Sequence, residues 1–258
     1  MKTMLPVITA NAIPLESLGI DSLSFFSDSV KTVKGEKYGY LTLVQYLSPA
    51  DYLTRHTGQK FPNLCPHASE GCREACLGEH SGRMVMSNAV QARVKRTLAY
   101  HLFRDDYLRS VVAEIERKVR KARKKGMRPV VRLNGSSDVL WERVAPFLFA
   151  MFPDVEFYDY TKVPIRFRRN LPANYHLTFS RSGSNDSDCA EALREGVNVA
   201  VVFRGALPET FTFDGVAYPV VNGDDHDIRL PEIDGTGVII GLVAKGKGKK
   251  DISGFVVD

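Results

Sequence analysis

The sequence predicts an α/β protein: an irregular or incomplete β/α barrel of the TIM type, with a cysteine-rich metal-binding loop and two basic helices. Three observations predict it. From Pro129 onward, β-branched and aromatic runs alternate with helical stretches, as parallel strands joined by crossovers do. Each run ends in a short polar segment rich in glycine and carboxylates, where α/β folds place their ligands. Seven strands are expected, with helices between only some of them, so the barrel is irregular and a doubly wound open sheet is the alternative. The 258 residues, 44 % hydrophobic, supply a sizeable core. The chain reads as a single domain, with 1–30 as an N-terminal extension and 48–82 as a cysteine-rich insertion.

A short helix is expected over 10–26, then a polar turn over 31–37. The aromatic, β-branched run 38–47 is the first buried strand. Two helices follow Gly82. In the first, Ala89, Val90, Val94, Leu98 and Leu102 share a face. In the second, Asp105 caps the start, Leu108, Val111, Val112, Ile115 and Val119 form the apolar stripe, and Gly126 ends it. Strands are then expected at 129–133, 155–160, 176–180, 199–203, 216–221 and 238–242. Helices are expected at 139–152 and 187–195, with a short basic one at 166–170.

Three of the four cysteines, Cys65, Cys72 and Cys76, are separated by six and three residues. If the segment after Gly71 is helical, Cys72 and Cys76 stand at i and i+4 on one face, and Cys65 folds back to meet them. Three converging thiolates suit zinc with a fourth ligand, or an iron–sulfur cluster with one open iron. His67 and His80 are near in sequence and Cys189 only through the fold; His80 is taken as the fourth ligand. A disulfide plus a spare thiol is the plain alternative. The cysteine pattern is not a secreted framework, and no stretch approaches the roughly 18 apolar residues of a membrane span. A cytoplasmic protein without a membrane partner is expected.

Formal net charge is +5, unevenly spread. Between Arg93 and Arg128 there are thirteen Lys/Arg against four Asp/Glu, crowding the end of the second helix. A cationic end complements the helix dipole, and an excess of this size also suits a phosphate-tracking surface. A second basic stretch, Ala244 to Asp251, alternates lysine with glycine.

The strand ends read NGSSD, DYTK, SRSGSND, RG and NGDDHD. Asp138 and Asp186 precede helices and fit caps. Asp159 lies inside an aromatic strand, where a carboxylate must be paired or functional. Asp224, Asp225 and Asp227 flank His226 in a loop.

Cys65-Pro66-x-Ala68-Ser69-x-Gly71-Cys72, Arg132-Leu133-Asn134-Gly135, Tyr160-Thr161-Lys162 and the run from Gly241 to Gly246 resemble a family of small proteins encoded by tailed bacteriophages. The resemblance covers nearly the whole chain from about residue 31. That group is similar to phage-encoded 7-deazaguanine DNA transglycosylases, distant relatives of the zinc-bearing β/α-barrel tRNA-guanine transglycosylases. The resemblance implies a pentosyltransferase that exchanges guanine in phage DNA for a 7-deazaguanine base in the host cytoplasm, protecting the DNA from restriction. The tRNA enzymes carry their cysteines late, and their Asp-Ser-Gly-Gly motif is absent here, so no residue carries over by motif.

Base exchange needs a carboxylate nucleophile, a second carboxylate to move protons, an unstacked base and a grip on phosphate. Asp138 and Asp159 are the leading acids and Asp224 the third. Arg117, Lys121, Lys124, Lys125, Lys245 and Lys247 are the expected DNA contacts, and Cys65, Cys72, Cys76 and His80 would hold a structural zinc. Two other readings stand beside this one. A radical S-adenosylmethionine-like enzyme would use the three cysteines for a [4Fe–4S] cluster on a partial barrel. A non-catalytic nucleic-acid-binding protein would use metal only for stability.

Overall fold

A computed structural model describes residues 18–19, 23–27, 30–80 and 82–258. The helix expected over 10–26 falls largely outside them, and Phe26 itself lies in a strand. The strands are β1 (Phe26–Ser27), β2 (Tyr40–Gln45), β3 (Arg128–Arg132), β4 (Glu156–Thr161), β5 (Tyr175–Ser180), β6 (Val199–Phe203), β7 (Thr210–Phe213), β8 (Val216–Asn222), β9 (Ile239–Val243) and β10 (Val256–Val257). The helices are α1 (Val30–Lys34), α2 (Tyr52–Thr57), α3 (Glu70–Glu74), α4 (Leu77–His80), α5 (Ser87–Leu102), α6 (Arg104–Lys124), α7 (Trp141–Val144), α8 (Phe147–Met151), α9 (Asp186–Arg194) and α10 (Pro231–Asp234).

One mostly parallel sheet runs in the order β1-β2-β3-β4-β5-β6-β9-β8-β7. Neighbours from β2 to β8 along this path are parallel, and only the edge pairs β1–β2 and β7–β8 are antiparallel. Among the described residues no pairing joins the two edges, so the sheet does not close. Chain order also breaks where β9 inserts between β6 and β8. The α/β class is as expected; a closed ring of strands is not formed. At the carboxyl end of β6 the neighbour changes. β5 pairs with Val199 and Ala200, and β10 takes over at Val202 and Phe203.

The main core lies on one face of the sheet. Leu41 and Leu43 of β2, Val131 of β3 and Phe157 of β4 meet Val94, Leu98, Tyr107, Val111 and Ile115 of α5 and α6. A buried side chain of this kind contributes about 1.5–3 kcal/mol. α9 covers β5 and β6 through Cys189, Ala192 and Leu193. Tyr40, Val130 and Tyr158 belong to a separate, smaller cluster with Ile228 and Leu230.

Four local expectations change. The helix over 139–152 is two short helices, α7 and α8, because Pro146 cannot continue the hydrogen-bond ladder and instead starts α8. Asp105 does not cap α6; Phe103 holds that position, and Asp105 and Asp106 sit in the first turn, where they favour the dipole. The short basic helix near 166–170 is a single 3₁₀ turn, Ile165–Phe167. β7 was not expected. It is hairpinned to β8 through Asp214 and Gly215, both at positive φ, the Asp-Gly signature of a tight hairpin. No helix among the described residues is long and apolar enough to cross a membrane.

Candidate functional site

The cysteine loop leaves the carboxyl end of β2 and is fastened over the carboxyl ends of β3 and β5. Asp138 N–H donates to Leu64 O at 2.7 Å, beside Cys65, and the Cys65 thiol lies 3.7 Å from Ser136 O. The Ser69 hydroxyl accepts from Cys72 N–H, capping α3, and donates to Ser182 O at 2.8 Å. Two glycines make the docking possible. A Cβ on Gly71 would sit 1.9 Å from Ser253 Oγ, and one on Gly135 would sit 2.5 Å from Gln45 O.

Cys72 and Cys76 do not share a helix. α3 stops at Glu74, and Cys76 precedes α4, its carbonyl accepting from His80 N–H at 2.9 Å. The three thiols nevertheless occupy one neighbourhood. Burial pushes the Cys65 thiol up to about 12, and Asp138 and Cys76 add to it. Burial also raises Cys76, with Cys72 the next cause. The Lys162 ammonium stands among them. Burial pulls its pKa down, but Cys72, Asp138 and Cys65 outweigh that. Arg93, almost wholly buried, lies on the Cys76 side against the Tyr52 ring. All four cysteines are free thiols, and Cys189 packs inside the α9 core.

The donors suit a soft metal in kind and number. They are not closed into a coordination set: no group of three or more His, Cys, Asp or Glu side chains among the described residues is arranged to hold an ion. His80 ends α4, and its ring is not drawn into such a set.

The three candidate acids do not share a mouth. Asp159 is fully buried and accepts from Asn134 N–H at 2.7 Å, Asn134 Nδ2 at 3.2 Å and Tyr175 Oη at 2.8 Å. Burial raises its pKa from 3.8 to about 7. Asn134 in turn accepts from Ser137 Oγ, Val139 N–H and Trp141 Nε1, so Asp159 braces the loop after β3. Asp138 ties that loop to the end of β4. It accepts from Thr161 Oγ1 and Lys162 N–H, each at 2.8 Å, with Arg168 at 3.9 Å. Asp224 lies across the sheet, bonded to Val243 N–H and to Lys245 at 2.5 Å. Asp138 and Asp159 thus sit around one loop, while Asp224 belongs to the end of β9.

A family model described as Gene product 88 matches residues 26–258. The chain belongs to that family. Its span reaches from β1 to β10, so the thiol loop, the Asp138–Asp159 brace and the lysine-rich turn all fall inside it. No curated protein and no solved structure matches the chain.

Two features escaped sequence reasoning. Lys162 enters the thiol cluster, although the sequence shows it only as the end of an aromatic strand. On β3 and β4, Arg132 pairs with Asp227 at 3.1 Å and stacks on Tyr160, and Tyr158 Oη also reaches Asp227. The acidic NGDDHD loop marked that partner, but its pairing across 95 residues had no local signal.

The expected DNA contacts divide between the two ends of the sheet. α6 finishes beside the amino ends: Arg123 pairs with Asp154, Lys125 with Glu36, and Arg128 N–H bonds to Gly39 O. Arg117, Lys121, Lys124 and Lys125 therefore approach or occupy that end. Lys245 and Lys247 follow β9 at the carboxyl end, where α4 of the thiol loop packs on the turn Gly246–Lys250.

Proposed function

We propose that the protein is a nucleic-acid-modifying iron–sulfur enzyme of the radical S-adenosylmethionine type, with Cys65, Cys72 and Cys76 holding the cluster. One observation carries this reading. The three-thiol loop lies between β2 and β3, after the short helix α2; β2 is the first of five parallel strands paired in chain order, and the loop is fastened over the carboxyl ends of an open sheet. Cys65, Cys72 and Cys76 would hold a four-iron cluster, which would supply one-electron reducing chemistry for S-adenosylmethionine. The chain's own groups do the rest. Lys162 and Arg93 offset the negative charge of the thiolates. Asp159 and Asn134 hold the loop after β3 rigid, so that the Ser136 carbonyl stays beside Cys65. Asp159 and Asp138 are positioning residues in this account.

The test is turnover. Protein purified without oxygen is reduced and incubated with S-adenosylmethionine and DNA, and 5′-deoxyadenosine and altered nucleosides are sought by mass spectrometry. Both are expected. Cluster-loaded protein that yields neither overturns the reading.

A second reading, DNA base exchange, is favoured by Asp159, whose pKa of about 7 suits proton transfer at neutral pH. In it the protein is a phage glycosyltransferase that replaces guanine with a 7-deazaguanine base in the host cytoplasm. Asp138, Asp159 and Asp224 act on the sugar and base, and Cys65, Cys72, Cys76 and His80 hold zinc. Its support is weakened by the full burial of Asp159, since a nucleophile must reach its substrate. Cells supplied with the 7-deazaguanine base and expressing the chain would then carry the modified deoxynucleoside in plasmid DNA. Its absence removes this reading and leaves the first untouched.

A further inference from the structure

The two lysine-rich segments differ in position and in pairing, and only one borders the thiol loop. We propose that the turn Gly246–Lys250, through Lys247, Lys249 and Lys250, grips the phosphate backbone of a nucleic acid entering the thiol site, and that the basic end of α6 does not. This rests on nucleic acid as the substrate class.

The turn follows β9 at the carboxyl end of the sheet. A Cβ on Gly248 would lie 3.7 Å from the Cβ of Ala75, the residue before Cys76, so the turn is the thiol loop's immediate neighbour. Its backbone is held from several sides. Arg204 donates to Lys249 O at 2.9 Å and to Asp251 O at 2.8 Å. The Asp251 carboxylate accepts from Ser253 Oγ at 2.7 Å and Val256 N–H at 3.0 Å. Lys245, at the start, is engaged by Asp224.

The three remaining lysines are exposed, and no carboxylate among the described residues lies within ion-pair distance of them. A fixed backbone that presents three solvated ammonium groups beside a reaction site has the charge and rigidity needed to track phosphates. On α6 most of the charges are answered instead, and of Arg117, Lys121, Lys124 and Lys125 only Lys121 and Lys124 have no ion pair among the described residues. Arg117 pairs with Glu114, Arg120 with Glu116, Arg123 with Asp154 and Lys125 with Glu36. The end of α6 is also removed from the mouth by the length of the strands, about 15–20 Å.

The experiment measures binding of the full chain to fluorescent DNA, single-stranded and duplex, over a salt series. It compares wild type with Lys247→Gln/Lys249→Gln/Lys250→Gln and with Arg117→Gln/Lys121→Gln/Lys124→Gln/Lys125→Gln. The turn variant is expected to bind roughly tenfold or more weakly at low salt, with a log–log salt slope shallower by about 2–3. The helix variant is expected to stay within about twofold of wild type in affinity, with the wild-type slope. Arginine at the three turn positions should restore binding, which a merely structural loss would not allow. Loss confined to the helix variant, or shared equally by both, overturns the assignment while leaving nucleic acid as substrate. A wild type that binds no DNA at low salt removes the substrate class itself, a result independent of whether the thiols hold iron.

Discussion

The two ends of the parallel strands are built from similar residue types and put to different uses. At the amino ends, charges are answered at the surface. Arg128 bridges Glu232 at 2.6 Å and shares it with Tyr40 Oη, His176 meets Glu156 at 2.8 Å, and Arg123 meets Asp154. At the carboxyl ends, acids are buried and consumed in bracing loops, three thiols gather around Lys162, and three lysines have no ion pair among the described residues. Surface pairs of the first kind contribute little and recognise nothing in particular. Soft donors gathered beside a braced loop suit a metal in kind. The proposed function is therefore placed at the carboxyl end, although the denser cluster of basic residues lies at the other.

The largest expected effect is at the thiols. Cys65→Ser, Cys72→Ser or Cys76→Ser should each abolish tight metal binding and turnover while leaving the circular dichroism spectrum native, because backbone and serine contacts also hold the loop. Unchanged metal content in any one of them breaks the contrast between the ends. Next is the buried pair Arg168–Glu142, whose side chains are 0 % and 8 % exposed and which is joined by bonds of 2.9 and 2.5 Å. Arg168→Met should lower unfolding free energy by about 3–5 kcal/mol in a urea titration, since Glu142 is left buried and unpaired.

Asp159 gives a pH-dependent effect. The folded chain keeps its proton up to about 7, while the unfolded chain releases it near 3.8. Between those values the native state binds more protons, so stability is greatest on the acid side and falls as pH rises through the window. Asp159→Asn should flatten that fall in a series of thermal melts. A melting profile identical in slope to wild type would show that the burial is not felt as charge. The smallest effect is expected at the amino end. Arg123 and Asp154 are 64 % and 79 % exposed, and Arg123→Ala should cost less than about 1 kcal/mol.

Much of the fold was legible because burial leaves a local signature. The run 199–203 is β6, and the apolar stripe of α6 falls on the residues whose spacing marks it. The insertion of β9 between β6 and β8 was not legible, since alternation records which face is buried and not which strand lies alongside. The site was legible in kind and illegible in arrangement. The cysteine spacing marked the loop, but the break between α3 and α4 undid the i, i+4 geometry. Asp159 was recognisable as no cap, yet its partners come from the loop after β3 (Asn134) and from β5 (Tyr175). Lys162 was visible as a strand-end residue in the Tyr160-Thr161-Lys162 motif, but its place among the thiols arises only when a loop nearly a hundred residues earlier folds over it.

The most direct test of a thiolate-held cluster is iron and acid-labile sulfide analysis of protein purified without oxygen, with electron paramagnetic resonance of the reduced sample. The account predicts a brown protein with about four irons and four sulfides per chain and a reduced-cluster signal that is lost in Cys72→Ser. A colourless protein that carries zinc, or no metal at all after reconstitution with iron and sulfide, would contradict it.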